Sequence, residues 1–286
     1  MDLATEIKHN VSQALAEDVG AGDLTALLLP AGKTANASVI SREDAMLCGS
    51  RWFETCFRQL SAETEICWFA QDGEVIHAGQ KLCAITGNAR ALLTAERPAL
   101  NFLQTLSAVA TQTRRYVAAV AGTGAVIVDT RKTLPGLRLA QKYAVKCGGG
   151  VNHRLGLYDG ILIKENHIIA AGGIAQALLA AKEIAPPDVF IQIEVETLDE
   201  LRDALDAGAA MILLDNFALA QLRHAVALTA ELAPGRAILE ASGGITLENV
   251  RAIAETGVQR ISIGSLTKDI KAVDLSMRFL LNPAGS

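Results

Sequence analysis

Six short apolar runs, each ending in polar or glycine residues and each followed by an alanine- and leucine-rich stretch, govern what the second half of this chain can become. They are AVIVDTRK, GILIKENH, FIQIEVET, MILLDN, AILEASGG and RISIGS. Their apolar residues run on without alternating, as strands of a parallel sheet covered on both faces require. The segments between them, Ile174 to Ile184, Leu198 to Ala207, Leu219 to Leu232 and Leu247 to Glu255, have helical spacing and helix-forming composition. This is a repeated βα unit. Six runs fall short of the eight in a complete barrel, so an incomplete open α/β barrel is favoured, with an open doubly wound sheet as the alternative.

Up to about Arg115 the rhythm differs. Strand-like pieces at Ala37 to Ile40, Glu65 to Phe69, Glu74 to His77 and Lys81 to Thr86 are separated by Gly73, Gly79 and Gly87. They predict a smaller amino-terminal α+β sandwich. A helical pattern through Leu92, Leu93, Leu100, Leu103 and Leu106 then contains Pro98, which should kink it or start a new helix. The expected division is a first domain over residues 1–115, a barrel over 116–269, and a final segment, 270–286, that joins the first domain.

With half of its 286 residues hydrophobic, the chain has ample material for a core. No apolar run reaches the roughly 18 residues of a spanning helix. The acids near the amino terminus do not suit a secretory signal, so a cytoplasmic protein is expected, with no membrane partner. Cys48, Cys56, Cys67, Cys83 and Cys147 are odd in number and lack a C-x-x-C pair; they predict buried free thiols rather than disulfides or a zinc site. A net charge of −5 argues against nucleic acid as a partner.

That total conceals a sharp local imbalance. From Arg97 to His167 there are ten basic residues against three acids. Such a concentration in an acidic protein predicts the handling of anions, with Arg matching the planar geometry of carboxylate and phosphate and Lys acting as a point charge. Arg114, Arg115, Lys142 and Lys146 lie on helical segments and read as a solvated face. Arg131, Lys132 and Lys164 lie at strand ends, where parallel α/β folds bind ligands. Glu194 and Asp215 supply the opposite sign there and suit Mg²⁺ held through water and phosphate; Glu196 shares a face with Glu194 but lies nearer the loop. Ser242-Gly243-Gly244 and Gly264-Ser265 close the last two runs and suit a phosphate cradle. His153 and Arg154 follow three glycines, and the histidine there could be acid, base or anion donor. His9, His77 and His224 have no such setting. The inventory fits a transferase binding a phosphorylated compound beside a strongly anionic one, with no nucleophilic triad, G-x-G-x-x-G or P-loop.

The strings EDVGAGDLT, ERPALNFLQTLSAVAT, DTRKTLPGLR, KYAVKCGGGVNHRLGLYDGILIKENH, IEVE, LLDN, EASGGI and ISIGSLT resemble the quinolinate phosphoribosyltransferase family of NAD biosynthesis, from about Glu17 to Phe279. The combination T-R-K-T-x-P-G-x-R with N-H-R and K-E-N-H is highly specific. The resemblance implies an open α/β barrel with an amino-terminal sandwich, and a homodimer in which Arg97 reaches the partner's site. It implies transfer of phosphoribosyl from phosphoribosyl pyrophosphate to quinolinate with loss of CO₂, giving nicotinate mononucleotide. By the same resemblance Arg97, Thr130, Arg131, Lys132, His153, Arg154 and Lys164 would surround quinolinate. Lys132, Glu194 and Asp215 would serve pyrophosphate, ribose and Mg²⁺, with Lys132, Lys164, Glu194 and Asp215 as the catalytic set. Ser242, Gly243, Gly244, Ile263, Gly264 and Ser265 would hold the 5′-phosphate. The chain departs from the family pattern after ISIGSLT, where Lys268 or Asp269 stands in place of a frequent His.

Three rivals have distinguishable signatures. A molybdenum-associated relative acting on another base should alter the carboxylate-gripping arginines, which are all present here. DGEVIHAGQKLCAITG resembles biotinyl and lipoyl carrier domains, but its one lysine, Lys81, lies in a strand pattern rather than at a hairpin tip. A non-catalytic binding protein would keep the pocket without turnover.

Overall fold

The structure, a computed structural model, describes residues 2–280. In chain order it runs through α1 (Leu3–Val19), a 3₁₀ turn (Ala26–Leu28), β1 (Thr34–Ser41), β2 (Ala45–Met46), α2 (Ser50–Leu60), β3 (Glu65–Trp68), β4 (Val75–Ile76), β5 (Lys81–Asn88) and α3 (Ala89–Ala119). The βα repeat follows as β6 (Val126–Val128), α4 (Arg138–Cys147), β7 (Gly160–Ile163), α5 (Glu165–Ala171), α6 (Ile174–Ile184), β8 (Phe190–Val195), α7 (Leu198–Asp206), β9 (Met211–Asp215), α8 (Leu219–Leu232), β10 (Ile238–Ser242), α9 (Val250–Ala254), β11 (Arg260–Ser262) and α10 (Ser265–Lys268). The strand β12 (Leu275–Leu280) ends the described chain.

Two compact units result. The first comprises residues 1–112, 134–149 and 268–286, of which 1 and 281–286 lie outside the described residues. Its four-stranded antiparallel sheet has the order β12-β1-β5-β3. β12 adds to the sheet edge because Leu275 and Met277 alternate inward, against Val273 and the rest of one core that also contains Trp52, Phe53, Phe57 and Leu103. Pro98 neither divides α3 nor starts a new helix. Ala95, Ala99, Leu100 and Leu103 around it are all buried, so packing of that face outweighs the one hydrogen bond that proline removes. The helix α4 also belongs to this unit. The solvated-face reading fails there for Lys142, which is 1% exposed: it shares a helix face with Gln141 and Val145, both wholly buried. Of the cysteines, Cys48, Cys56 and Cys83 are buried, Cys147 is half-buried and Cys67 is exposed, and all are free.

The second unit, residues 113–133 and 150–267, holds an all-parallel six-stranded sheet in the order β6-β11-β10-β9-β8-β7. All six apolar runs form its strands. Their side chains build a separate core with the inner faces of α6, α7 and α8, through Ile193, Ile212, Leu214, Leu178, Leu201 and Leu222. The sheet is open, as expected, with β6 and β7 at its edges. One helix was not legible from periodicity: α5 begins directly at the end of β7, where the Lys164 N–H donates to His167 Nδ1 at 3.0 Å and closes the first turn. The His of K-E-N-H is thus a helix-terminus residue. No helix among the described residues is long and apolar enough to cross a membrane.

Candidate active site

Because parallel strands all point the same way, their polar carboxyl ends meet at one end of the sheet. There they line a cavity of about 250 Å³ to which all six strands or the segments after them contribute. Thr130, Arg131 and Lys132 follow β6; His153 and Arg154 precede β7 and Lys164 follows it; Glu194 comes from β8, Asp215 from β9, Ser242 from β10 and Ser262 from β11. Nine residues singled out from sequence are therefore brought together. Gly243 and Gly244 follow Ser242, and Ile263, Gly264 and Ser265 follow β11, at the same strand ends. Glu196 is exposed beyond β8, away from this lining. Arg97 is exposed on α3 in the first unit, and Lys268 and Asp269 form an exposed ion pair there.

Register explains the depth of each group. Residues opposite one another on neighbouring parallel strands share a face, and so do residues two apart on one strand. Glu194, Leu213, Glu240 and Arg260 are cross-strand partners and form one layer; Asp215 and Ser242 are partners one step closer to the mouth, and Gln192 lies one step deeper.

One side of the cavity is cationic. Arg154 is buried, its Nη1 donating to the Gly160 carbonyl at 2.9 Å. Burial first, and the neighbouring Arg131 guanidinium second, lower the affinity of Arg154 for its proton, while Asp159 opposes them. Arg131 Nε is buried without a hydrogen-bond partner. A buried unpaired guanidinium N–H beside a second guanidinium is costly until an anion arrives. The loop between Arg154 and β7 is tied down by Asp159, whose carboxylate accepts from Leu155 N–H (2.7 Å) and Gly156 N–H (2.8 Å).

The other side carries both signs. Lys164 Nζ donates to Glu194 Oε2 at 2.8 Å. Asp215 accepts from Asn216 Nδ2 at 2.9 Å, and its carboxyl is held above the usual carboxylate range by burial first and by Glu194 second, with Lys164, Lys132 and Asn216 acting against the rise. Glu196 is also raised, chiefly by Glu165, with Asp215, Glu200 and Glu194 adding to the repulsion. This crowding of carboxylates is one a divalent cation would relieve. No group of three or more His, Cys, Asp or Glu residues among those described could hold a metal alone. Glu194 and Asp215 thus fit Mg²⁺ only as partial ligands, with water or ligand oxygens completing its shell.

Close packing bears on two glycines at the strand ends. Gly243 has φ +97°, and a Cβ there would overlap Asn216 Oδ1. At Gly264 a Cβ would lie 2.9 Å from Lys132 Cδ. The turn at Gly264 brings backbone close to the Lys132 side chain, as an oxyanion site requires.

Around His153 lie residues that sequence reasoning did not assign to the site, among them Asp129, Asn152, Gln192 and Arg260. His153 is clasped on both nitrogens: Arg154 N–H donates to Nδ1 (2.8 Å), and Nε2 meets Gln192 Oε1 (2.7 Å). Its own N–H donates to the buried Asp129 carboxylate at 2.8 Å, which also accepts from Asn152 Nδ2. Glu240, wholly buried, accepts from Arg260 Nε at 2.8 Å and reaches to 3.8 Å from His153 Nε2. Asn216 takes a positive φ of 56°, with its N–H donating to the Ser242 carbonyl. Gln192 and Glu240 did carry a signal. Each is a polar residue two positions before a strand-end polar residue in an otherwise apolar run, and so faces the same way as Glu194 and Ser242.

A cavity of about 370 Å³ in the first unit is larger, lined among others by His9, Asn10, Gln13, Pro98, Asn101 and Phe102. It lacks the convergence of opposed charges found at the strand ends.

Comparison with known proteins adds the remaining finding. Residues 23–107 match the model of the quinolinate phosphoribosyl transferase N-terminal domain, and residues 109–278 that of the C-terminal domain. The chain is 40% identical over 277 residues, 97% of its length and 94% of the relative's, to a probable nicotinate-nucleotide pyrophosphorylase [carboxylating] of Bacillus subtilis (strain 168). It is 40% identical over 274 residues to the nicotinate-nucleotide pyrophosphorylase [carboxylating] of Mycobacterium leprae (strain TN), covering 94% of this chain and 96% of that protein. Among solved structures, the nicotinate-nucleotide pyrophosphorylase from Francisella tularensis superposes with a TM-score of 0.91 at 42% identity over 98% of both chains.

Proposed function

We infer that the chain, which belongs to the quinolinate phosphoribosyltransferase family, is a nicotinate-nucleotide pyrophosphorylase (carboxylating) acting in NAD biosynthesis. It transfers phosphoribosyl from phosphoribosyl pyrophosphate to quinolinate and releases pyrophosphate and CO₂. The observation that carries this reading at the site is the pairing of Arg131, with its buried unpartnered Nε, and Arg154 across one cavity from Lys164, Glu194 and Asp215. A compact dicarboxylate suits the first group and a pyrophosphorylated sugar the second.

Arg131, Arg154 and Lys164 hold the two carboxylates in this reading, with Thr130 and Lys132 at the entrance and His153 beneath Arg154. The carboxylates are thereby fixed with the pyridine nitrogen facing the sugar. Lys132 and Lys164 neutralise charge as pyrophosphate departs, and Glu194 and Asp215 face the cationic sugar that develops. Glu194 and Asp215 would hold part of the shell of Mg²⁺, which when bound would supply further neutralisation of the pyrophosphate. The strand-end turns Ser242-Gly243-Gly244 and Ile263-Gly264-Ser265 cradle the 5′-phosphate.

The pyridine nitrogen attacks the anomeric carbon with its lone pair while the bond to pyrophosphate breaks. The nitrogen is now quaternary. The bond between C2 and its carboxylate then breaks, CO₂ leaves, and the electron pair stays on C2, where the adjacent positive nitrogen stabilises it until a proton is taken up. The product is nicotinate mononucleotide.

The same reading makes the enzyme a cytoplasmic homodimer in which Arg97 of a partner copy completes the carboxylate cage. Incubation with phosphoribosyl pyrophosphate, Mg²⁺ and either quinolinate or nicotinate tests it. Turnover of quinolinate with one CO₂ per nucleotide is expected; nucleotide formation without CO₂, or preference for nicotinate, overturns the assignment.

A further inference from the structure

His153 is buried in the site, 9% exposed, yet neither of its ring nitrogens is left for a ligand. The backbone N–H of Arg154 must donate, so Nδ1 accepts and carries no proton. Nε2 then bears the hydrogen and gives it to Gln192 Oε1. Glu240 lies on the same side of the ring, its Oε1 3.8 Å from Nε2 and without a hydrogen-bond partner, while Oε2 is anchored by Arg260. A Phe190 ring edge packs on the imidazole at 5.3 Å between centroids. Asp129, which accepts the backbone N–H of His153, and Arg154 with its neighbour Arg131 are further charged groups near it.

We propose that Gln192 and Glu240 are positioning residues that fix His153 as the Nε2–H tautomer and, through the contact from Nδ1 to the Arg154 backbone, set the stance of the Arg154 guanidinium. His153 therefore serves the dicarboxylate through Arg154, as a spacer hydrogen-bonded between Gln192 and the Arg154 backbone, and gives no hydrogen bond of its own to the substrate. The chain runs from Arg260 on β11 to Glu240 on β10, past His153 to Gln192 on β8. It ties β10 and β8, which do not pair with each other, to the loop carrying Arg154. Hydrogen-bonded supports of this kind hold a contacting group within the narrow range of orientation that bidentate recognition needs. The inference rests on the assignment of the cavity to quinolinate, and its first readout does not depend on turnover.

In ¹⁵N-labelled wild-type enzyme, His153, identified by the loss of its signal in H153N, should show a slowly exchanging imidazole N–H on Nε2. A proton on Nδ1, or none protected from exchange, overturns the proposal. Q192M keeps the shape but removes the acceptor. It should lose that signal and raise KM for quinolinate about tenfold, the worth of one hydrogen bond. KM for phosphoribosyl pyrophosphate should be unchanged and kcat should stay within about threefold. E240Q should move KM for quinolinate in the same direction. Equal rises in both KM values, or retention of the signal with unchanged KM, refute the positioning role. If Q192M does not fold, the wild-type spectrum still decides between the tautomers. If wild type does not turn over quinolinate, the functional assignment fails while the spectrum remains a separate result.

Discussion

Replacing Arg131 with Met should make the ligand-free protein more stable and the enzyme unable to hold its dicarboxylate. Arg131 Nε is buried with no partner, and its guanidinium stands beside that of Arg154, a like charge that is itself buried. An unsatisfied buried donor costs about 1–3 kcal/mol, and methionine fills much of the same space without a polar atom. After subtracting lost packing, a gain of about 1–2 kcal/mol is expected, which raises the melting temperature by about 2–6 °C for a chain of this size. Binding should move the other way. A guanidinium gripping a carboxylate contributes two charge-assisted hydrogen bonds of about 1.5–3 kcal/mol each, so the dissociation constant for quinolinate should rise by about 10² to 10⁴. Calorimetric melting with and without quinolinate, followed by titration calorimetry, reads both effects. R131M melting below wild type in the absence of ligand, with quinolinate affinity unchanged, would refute the reasoning.

Gly243→Ala should force Asn216 aside and strain a backbone at φ +97°, raising KM for phosphoribosyl pyrophosphate about tenfold or more in steady-state kinetics while KM for quinolinate changes little. Lys164→Met leaves Glu194 without its 2.8 Å partner and should lower kcat about a hundredfold, read in single-turnover experiments with both substrates saturating. Chelation of Mg²⁺ should abolish turnover yet leave quinolinate binding, measured by titration calorimetry, intact. Burial pushes the Cys56 and Cys83 thiols up to about 12 from an ordinary 9.0. Their neutral forms therefore favour the folded state, with that stability complete below pH 9 and lost as pH climbs towards 12, about 4 kcal/mol for each thiol at the limit. Urea midpoints should show the stability difference between wild type and C56A/C83A shrinking from pH 8 to pH 10.5; a constant difference contradicts the assignment.

The parallel sheet was legible because its pattern is a local one: a strand buried on both faces must be apolar throughout, and its polar end must mark the mouth of the site. All six strands, and helices such as Ile174–Ile184 and Leu219–Leu232, follow from that rule. Pro98 defied local propensity because α3 is held by its buried face. Lys142 did the same, since a helix face rather than its charge decides where residue 142 points. At the site, Arg131, Lys164, Glu194 and Asp215 announced themselves as charges at strand ends. Gln192 did not, because one polar residue inside an apolar run reads as noise until register shows that it faces the same interior as Glu194 two positions on. The clasp on His153 depends on a loop conformation that no periodicity encodes.

The central claim is that the strand-end cavity of the second unit is where quinolinate binds, and a crystal structure with quinolinate bound tests it most directly. The two carboxylates should lie against the guanidiniums of Arg131 and Arg154, with Arg131 Nε donating to one of them and His153 still hydrogen-bonded to Gln192. Quinolinate seated elsewhere, or in this cavity with Arg131 Nε still unpartnered, would contradict it.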